Sequence, residues 1–440
     1  MMRSFQEQYE LAKKTLPGGV NSSTRLNRAL GTPFFAAGGK GSQVTSLEGK
    51  AYIDMCCAHG AGLLGLAHPA IDEAMRRAMS LGYLNSFETE YHEELAARIC
   101  GAVPCADRVR FCSSGSEATL HLLRACRAYT GKDKIIRVEG HFHGYHEMIY
   151  IGGQPPENEF INNRVHPFIE SAGIPAELAN YIIPIAFNDS SALEQAIAEH
   201  GDEAAVLIME PVNYNTGGIK PLPGYLQKVR ELTTNAGILL FFDEIQSSFK
   251  KSTGSAQKDF GVTPDVCTIG KSIGGGLPLS AFCGKAEIMD MYQPVGKVQH
   301  SGTFNAHLIS VLAGLAFLNE VEKVDFYPWL RTLEEQFHNG IDRIIAAHGL
   351  NMVVPYYGAR FNILLGRKTE AIRYEETFCH SRETMLRLIR GCFERGVYFH
   401  DYGGSPSHHG YSIQHTQQDI DTVLQVMEDV LIKLKKEGRI

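Results

Sequence analysis

Five short apolar runs constrain this chain most: "KIIRVE" (134–139), "AVLIME" (205–210), "GILLFFDE" (237–244), "DVCTIG" (265–270) and "SAFCG" (280–284). Each is nearly continuous in apolar residues instead of alternating. That predicts strands covered on both faces, and such strands belong to mostly parallel sheets. Amphipathic stretches, "GSEATLHLLRACRAYTG" (115–131) and "GYLQKVRELTTNAG" (224–237), fall between the runs and predict crossover helices. The fold class is therefore α/β, with a large domain built on a mostly parallel central sheet. After about residue 312, long helical patterns mix with short strands ("MVVPYY", "RFNILL", "VYFHDY"), which predicts a smaller α+β domain. The division expected is 1–55 as an N-terminal segment, 56–312 as the large domain and 313–440 as the small one. Between residues 150 and 180, Pro, Gly and Asn crowd a stretch without periodicity, a loop of the length used for lids or mobile segments.

Composition excludes several functions. A net charge of −7 over 440 residues offers no basic surface for nucleic acid. The basic end, "KLKKEGRI", reads as the solvated end of a helix. Ten cysteines are scattered with no C-x-x-C pair, which predicts free thiols in a reducing compartment and no metal site. No stretch approaches the ~18 apolar residues of a membrane span, and the first residues, "MMRSFQEQYELAKK", lack a signal peptide's apolar region. A soluble, cytoplasmic protein is expected.

Two motifs imitate nucleotide sites. In "IGKSIGGGLPLS" (269–280), the Gly-Lys-Ser of a Walker loop is present, but Asp265 stands where its first glycine belongs and the other glycines follow the lysine. "GAGLLG" (60–65) matches a dinucleotide fingerprint, yet the next helical pattern starts only near Pro69, so it reads as a close-packed turn. The histidines of "HFHGYH" (His141, His143, His146) lack a carboxylate framework for a metal and read as structural or supporting.

A different constellation survives. Glu210, Asp243 and Lys271 each fall at or just past the C-terminal end of a predicted strand, the edge where open parallel sheets bind ligands. "SSGSEAT" (113–119) leads straight into a helix, whose N-terminus suits an anion, although the same pattern also makes an ordinary serine cap. Taken singly, Asp243 reads equally as a helix cap and Lys271 as a solvated charge. A phosphate cradle, a strand-end acid and a strand-end lysine together are what pyridoxal phosphate requires: the lysine bonds its aldehyde and the acid keeps its ring nitrogen protonated. Phe142 and Ile245 are placed to cover the two ring faces.

With those motifs in view the chain resembles the class III aminotransferases, in the branch that includes glutamate-1-semialdehyde aminomutase. The likeness covers nearly the whole chain, through "LPGGVNSSTR", "GLAHP", "VRFCSSGSEAT", "EPVNYNTG", "LLFFDEIQSSF", "TPDVCTIGKSIGGGLPLSAFCG" and "HTQQDID". The resemblance implies the fold type I of pyridoxal-phosphate enzymes and a homodimer with the site at its interface. It implies Lys271 as the residue bonded to the cofactor, Asp243 as partner of the pyridine nitrogen, and Ser114, Gly115 and Ser116 as phosphate ligands. Phe142 and Ile245 match the residues on the ring faces, and Asn215 and Gln246 those near the phenolic oxygen. Thr303 matches a residue that reaches the phosphate from the neighbouring subunit. Ser22 and Arg25 match the element that holds a substrate carboxylate, making the N-terminal segment part of the substrate site.

Departures fall at segments that face the substrate. "NAHL" (305–308) replaces the aminomutase "SGNP", "YGGSPSHHGYS" (402–412) replaces a "FEAGF"-like stretch with its glutamate, and the C-terminal arginine of many ω-transaminases is missing there. The expected activity is therefore amino transfer between an amine or amino acid (β- or ω-type, or an amino sugar) and an aldehyde or ketone. The aminomutase, moving the amino group within one molecule, is the alternative; an epimerase or racemase is a weaker one. A catalytically silent binding protein conflicts with an intact Lys271, Asp243 and phosphate loop.

Overall fold

A computed structural model describes residues 3–440 apart from 83, 85 and 161–165. All five apolar runs form strands of one seven-stranded sheet. In chain order its strands are β1 (Arg108–Cys112), β2 (Lys134–Val138), β3 (Ile182–Ile185), β4 (Ala204–Met209), β5 (Leu239–Glu244), β6 (Val266–Ile269) and β7 (Ser280–Gly284). Across the sheet they lie in the order β1-β7-β6-β5-β4-β2-β3. Neighbours are parallel from β6 to β3, while β7 runs against both of its neighbours.

The continuous apolar pattern has its cause in the two cores. On β4, Leu207 and Met209 enter one apolar cluster and Val206 and Ile208 the other, so neither face is left for polar residues. Helices Gly115–Thr130 and Tyr225–Asn235 lie where the amphipathic pattern predicts them. Strand β1 escaped the apolar pattern because it begins Arg108-Val109-Arg110, with Arg108 exposed, as suits an edge.

The two ends of the chain meet in a second sheet. Ala51–Asp54 pairs antiparallel with Gln43–Ser46 and parallel with Val397–Tyr398. Nearby, Arg360–Asn362 pairs antiparallel with His408–Gly410. The last helix, Gln417–Lys436, carries Lys433, Lys435 and Lys436 in its final turn, where cations suit the helix dipole. In "GAGLLG", a Cβ on Gly62 would stand 3.2 Å from the Cys57 carbonyl group, and the next helix starts at Pro69; the motif is a packed turn. Of the long mid-chain loop, residues 161–165 lie outside the described residues. Among the described residues no helix is long and apolar enough to cross a membrane, and all ten cysteines are free.

Candidate active site

The ends of β4, β5 and β6 deliver Glu210, Asp243 and Lys271 to one cavity of about 280 Å³. Ser114, Gly115, Ser116, Phe142, Asn215, Ile245 and Gln246 line the same cavity, so ten of the thirteen residues singled out in the sequence converge there.

At one end stands the N-terminus of helix Gly115–Thr130. Ser114 is its cap: the hydroxyl accepts from Glu117 N–H (3.3 Å), and the Glu117 carboxylate accepts from Ser113 N–H (3.0 Å). The cap leaves the N–H groups of Gly115 and Ser116 without partners among the described residues, facing an anion's place. A Cβ on Gly115 would meet Ile245 at 3.2 Å, so glycine there keeps the cradle open. The ordinary cap and the anion site, alternatives in the sequence, coexist.

Asp243 is buried, with both carboxylate oxygens bonded. Its Oδ1 accepts from Thr268 Oγ1 (2.9 Å) and Ile245 N–H (3.1 Å), and its Oδ2 lies 2.8 Å from His143 Nδ1. Thr268 is Asp243's partner in the β5–β6 register, so the sheet itself supplies that contact. Glu210 accepts from Phe142 N–H (2.8 Å) and from Asn215 Nδ2 (3.0 Å), which fixes the aromatic ring's backbone to the strand end. Burial, and then the charge of Asp243, push the Glu210 carboxyl up from its ordinary value.

Lys271 follows Gly270 in a left-handed backbone conformation, φ 48°, a strain of about 1–3 kcal/mol for a non-glycine residue. Burial first, then the Arg360 guanidinium, bring its ammonium down to about 8 against the pull of Glu210 and Asp243. Arg360 is buried on its strand, donating to the carbonyls of Cys56 (3.1 Å) and His408 (3.2 Å). Lys250, also buried, donates to the hydroxyl of Ser272 beside Lys271.

Sequence reading missed two residues here, Arg360 and His59, which carried no motif. His143 belongs to a cluster read as structural or supporting, and it supports Asp243 from a hundred positions away. For His59 the only sequence signal was the row of small residues around it. Cys57, Ala58 and His59 all have positive φ (47°, 50°, 57°), ahead of Gly60 at 95°. At His59 Nδ1 the Tyr402 hydroxyl stands 2.8 Å away. Cys56, His59 and His400 bring potential metal ligands within 4.8 Å of one another. Both His400 nitrogens are engaged, with the Thr24 carbonyl (2.9 Å) and the Tyr398 hydroxyl (3.0 Å), and burial with the charge of Asp54 holds the Cys56 thiol up at about 12. The group is a hydrogen-bonded wall.

Three expected residues lie outside the cavity. Thr303 is exposed, although Ser113 Oγ donates to the neighbouring Phe304 carbonyl (3.4 Å). Ser22 bonds Thr24 through their hydroxyls (3.2 Å), and Arg25 is exposed, its guanidinium without a hydrogen-bond or ion-pair partner among the described residues. His400 and the buried Asp401, which accepts from Arg28 and Ala29 N–H, pin this N-terminal segment.

The donor set fits a phosphorylated pyridine. Two N–H groups are free at a helix N-terminus, a carboxylate and an amine share the cavity, and both amide atoms of Gln246 are buried without partners. The family model for class III aminotransferases matches residues 27–431. This chain belongs to the class III aminotransferases. Its cofactor is pyridoxal 5'-phosphate, and it is an enzyme acting on small molecules. Glutamate-1-semialdehyde 2,1-aminomutases resemble it: that of Methanosarcina acetivorans is 35% identical over 431 residues, 96% of each chain. The one from Pyrobaculum aerophilum is 35% identical over 98% of this chain and 99% of its own. Among solved structures, an omega-transaminase from Sphaerobacter thermophilus superimposes with a TM-score of 0.90 at 28% identity, covering 98% of both chains. The fold type I class is thereby established, with its mostly parallel sheet.

Proposed function

We propose that this class III enzyme is an aminotransferase that moves an amino group from an amino acid of the β or ω type to an aldehyde or ketone. The observation that carries it is the convergence of Lys271, Asp243 and the free N–H groups of Gly115 and Ser116 on one cavity. When bound, pyridoxal phosphate supplies an aldehyde that takes up the amino group and a ring that stabilises the carbanion left by proton loss.

In this reading Ser114, Gly115 and Ser116 hold the phosphate, Asp243 holds the pyridine nitrogen, and Phe142 and Ile245 flank the ring. Asn215 and Gln246 sit by the phenolic oxygen, and Glu210 holds Asn215 and the Phe142 backbone in place. Lys271 Nζ would take the proton from the substrate carbon and give it up at the carbon that came from the cofactor's aldehyde, a task suited to an amine whose pKa is near 8. Ser22 and Arg25 receive the substrate carboxylate, and Thr303 serves the neighbouring subunit of a homodimer. The cytoplasm as its location and the domain division 1–55, 56–312 and 313–440 belong to the same proposal.

The aminomutase is the second reading, favoured by relatives of that name over nearly the full chain. Against it stand the departures at 305–308 and 402–412. Amino sugars and epimerisation are further alternatives of lower weight. To decide, the pyridoxamine form is mixed with a panel of aldehydes and keto acids, and return of the yellow absorbance is recorded. Several acceptors restoring it supports the transaminase; turnover of glutamate semialdehyde alone, without external donor or acceptor, overturns it. Lys271→Ala removes the yellow band in either case.

A further inference from the structure

Three consecutive non-glycine residues at positive φ, Cys57 to His59, are expensive to form and persist where the surroundings over-determine them. Here they do. Asp54 Oδ1 accepts from the N–H groups of Cys56 (2.9 Å) and Cys57 (3.2 Å), and the Ser272 hydroxyl donates to the Gly60 carbonyl (3.3 Å). The turn is thus tied to the one that carries Lys271, and Ala61 at its end lines the cavity. His59 stands two residues before Ala61, its ring centroid 4.4 Å from that of His400, which bonds the Thr24 carbonyl next to Arg25.

His59 is also oriented. The Tyr402 hydroxyl has His59 Nδ1 as its only partner among the described residues, at 2.8 Å. The phenol proton therefore goes to Nδ1, and the ring's own proton sits on Nε2. Nε2 has no partner among the described residues. It is a fixed N–H donor within the field of Arg25 and Lys271.

We propose that His59 recognises substrate, donating from Nε2 to an acidic group that Arg25 also meets, so that the site takes amino acids in preference to amines without an acid. This rests on the amino-transfer reading of the same site. Burial, then the neighbouring His400 ring and the charges of Lys271, Arg360 and Arg25, hold the His59 ring neutral, with its pKa brought down to about 2. Its contribution is consequently a hydrogen bond and not a charge. Arg25 alone is exposed and unpaired, and a lone exposed guanidinium selects weakly.

The test uses the holoenzyme with butyrate and butyramide as unreactive probes, read by the shift of the cofactor absorbance. Butyrate is expected to bind at least about tenfold tighter than butyramide. His59→Phe is expected to lose about tenfold in butyrate affinity while butyramide binding stays within about twofold. His59→Gln, which keeps an N–H donor, restores most of that loss, and Tyr402→Phe, which frees the tautomer, shows part of it. In the first half-reaction, His59→Phe raises KM for β-alanine and leaves propylamine unaffected. Butyrate binding equally to wild type and His59→Phe overturns the proposal, as does a wild type indifferent to the acid. A protein without a cofactor band fails the amino-transfer reading instead. Calorimetry of butyrate on that apoprotein, wild type against His59→Gln and His59→Phe, still decides on His59.

Discussion

Lys271 is kept as an amine by its surroundings. Its pKa of about 8, against an ordinary 10.5, follows from burial and the Arg360 guanidinium. Between these two values the unfolded chain holds a proton that the folded chain has released, so this group makes stability rise with pH across that window. The same sign governs reactivity. Uptake of pyridoxal phosphate by the apoenzyme is expected to accelerate about tenfold per pH unit below 8 and to level off above it, measured by stopped-flow absorbance. Arg360→Met is expected to move the break upward on the order of one unit; an unmoved break contradicts this account of Lys271. At this scale the sequence was legible where one strand end names one residue, as for Glu210, Asp243 and Lys271. It was silent where partners meet only through the fold. His143 reaches Asp243, and Arg360 reaches His408 and Cys56, across separations that no local pattern encodes.

Elements were legible in proportion to their burial. Strands β4 and β5 read clearly because two cores demand apolar side chains on both faces. The direction of β7 was harder, since an apolar run has none. Its cue is the connection: residues 270–279 are fewer than the dozen or so that a parallel crossover needs. The left-handed turn at Cys57–Gly60 had no cue, because left-handed residues are normally glycine or asparagine and here they are cysteine, alanine and histidine. That mismatch makes a stability prediction. Ala58 is exposed, so Ala58→Gly loses no packing. Relief of about 1–2 kcal/mol of left-handed strain outweighs the roughly 0.5–1 kcal/mol of added chain entropy. A gain of up to about 1 kcal/mol is expected in denaturant unfolding of the apoenzyme. A loss of similar size would mean the turn is not strained as described.

For the whole molecule, the organising fact is that the chain's two ends are tied to each other. Strand Val397–Tyr398 pairs with Ala51–Asp54, and the residues that follow it pin the segment carrying Ser22 and Arg25. The sequence pointed to the N-terminal segment as substrate-facing through its match to the resembling family and to residues 402–412 through their departure from it, but not that one end anchors the other. Asp401 is the anchor with the most bonds. It is fully buried, its Oδ2 accepts from Arg28 N–H (2.5 Å) and Ala29 N–H (3.3 Å), and its Oδ1 accepts from Gly404 N–H (2.8 Å). Asp401→Ala leaves three backbone donors unmet, and each buried orphan costs about 1–3 kcal/mol. The cavity residues at the sheet edge are untouched, so the cofactor band should survive. The N-terminal segment, released from its anchor, should be cut faster near residues 20–30 in limited proteolysis, and KM for an acid-bearing substrate should rise more than kcat falls. Loss of the cofactor band with no change in proteolysis would instead assign Asp401 to the sheet-edge site and leave the N-terminal segment held by other contacts.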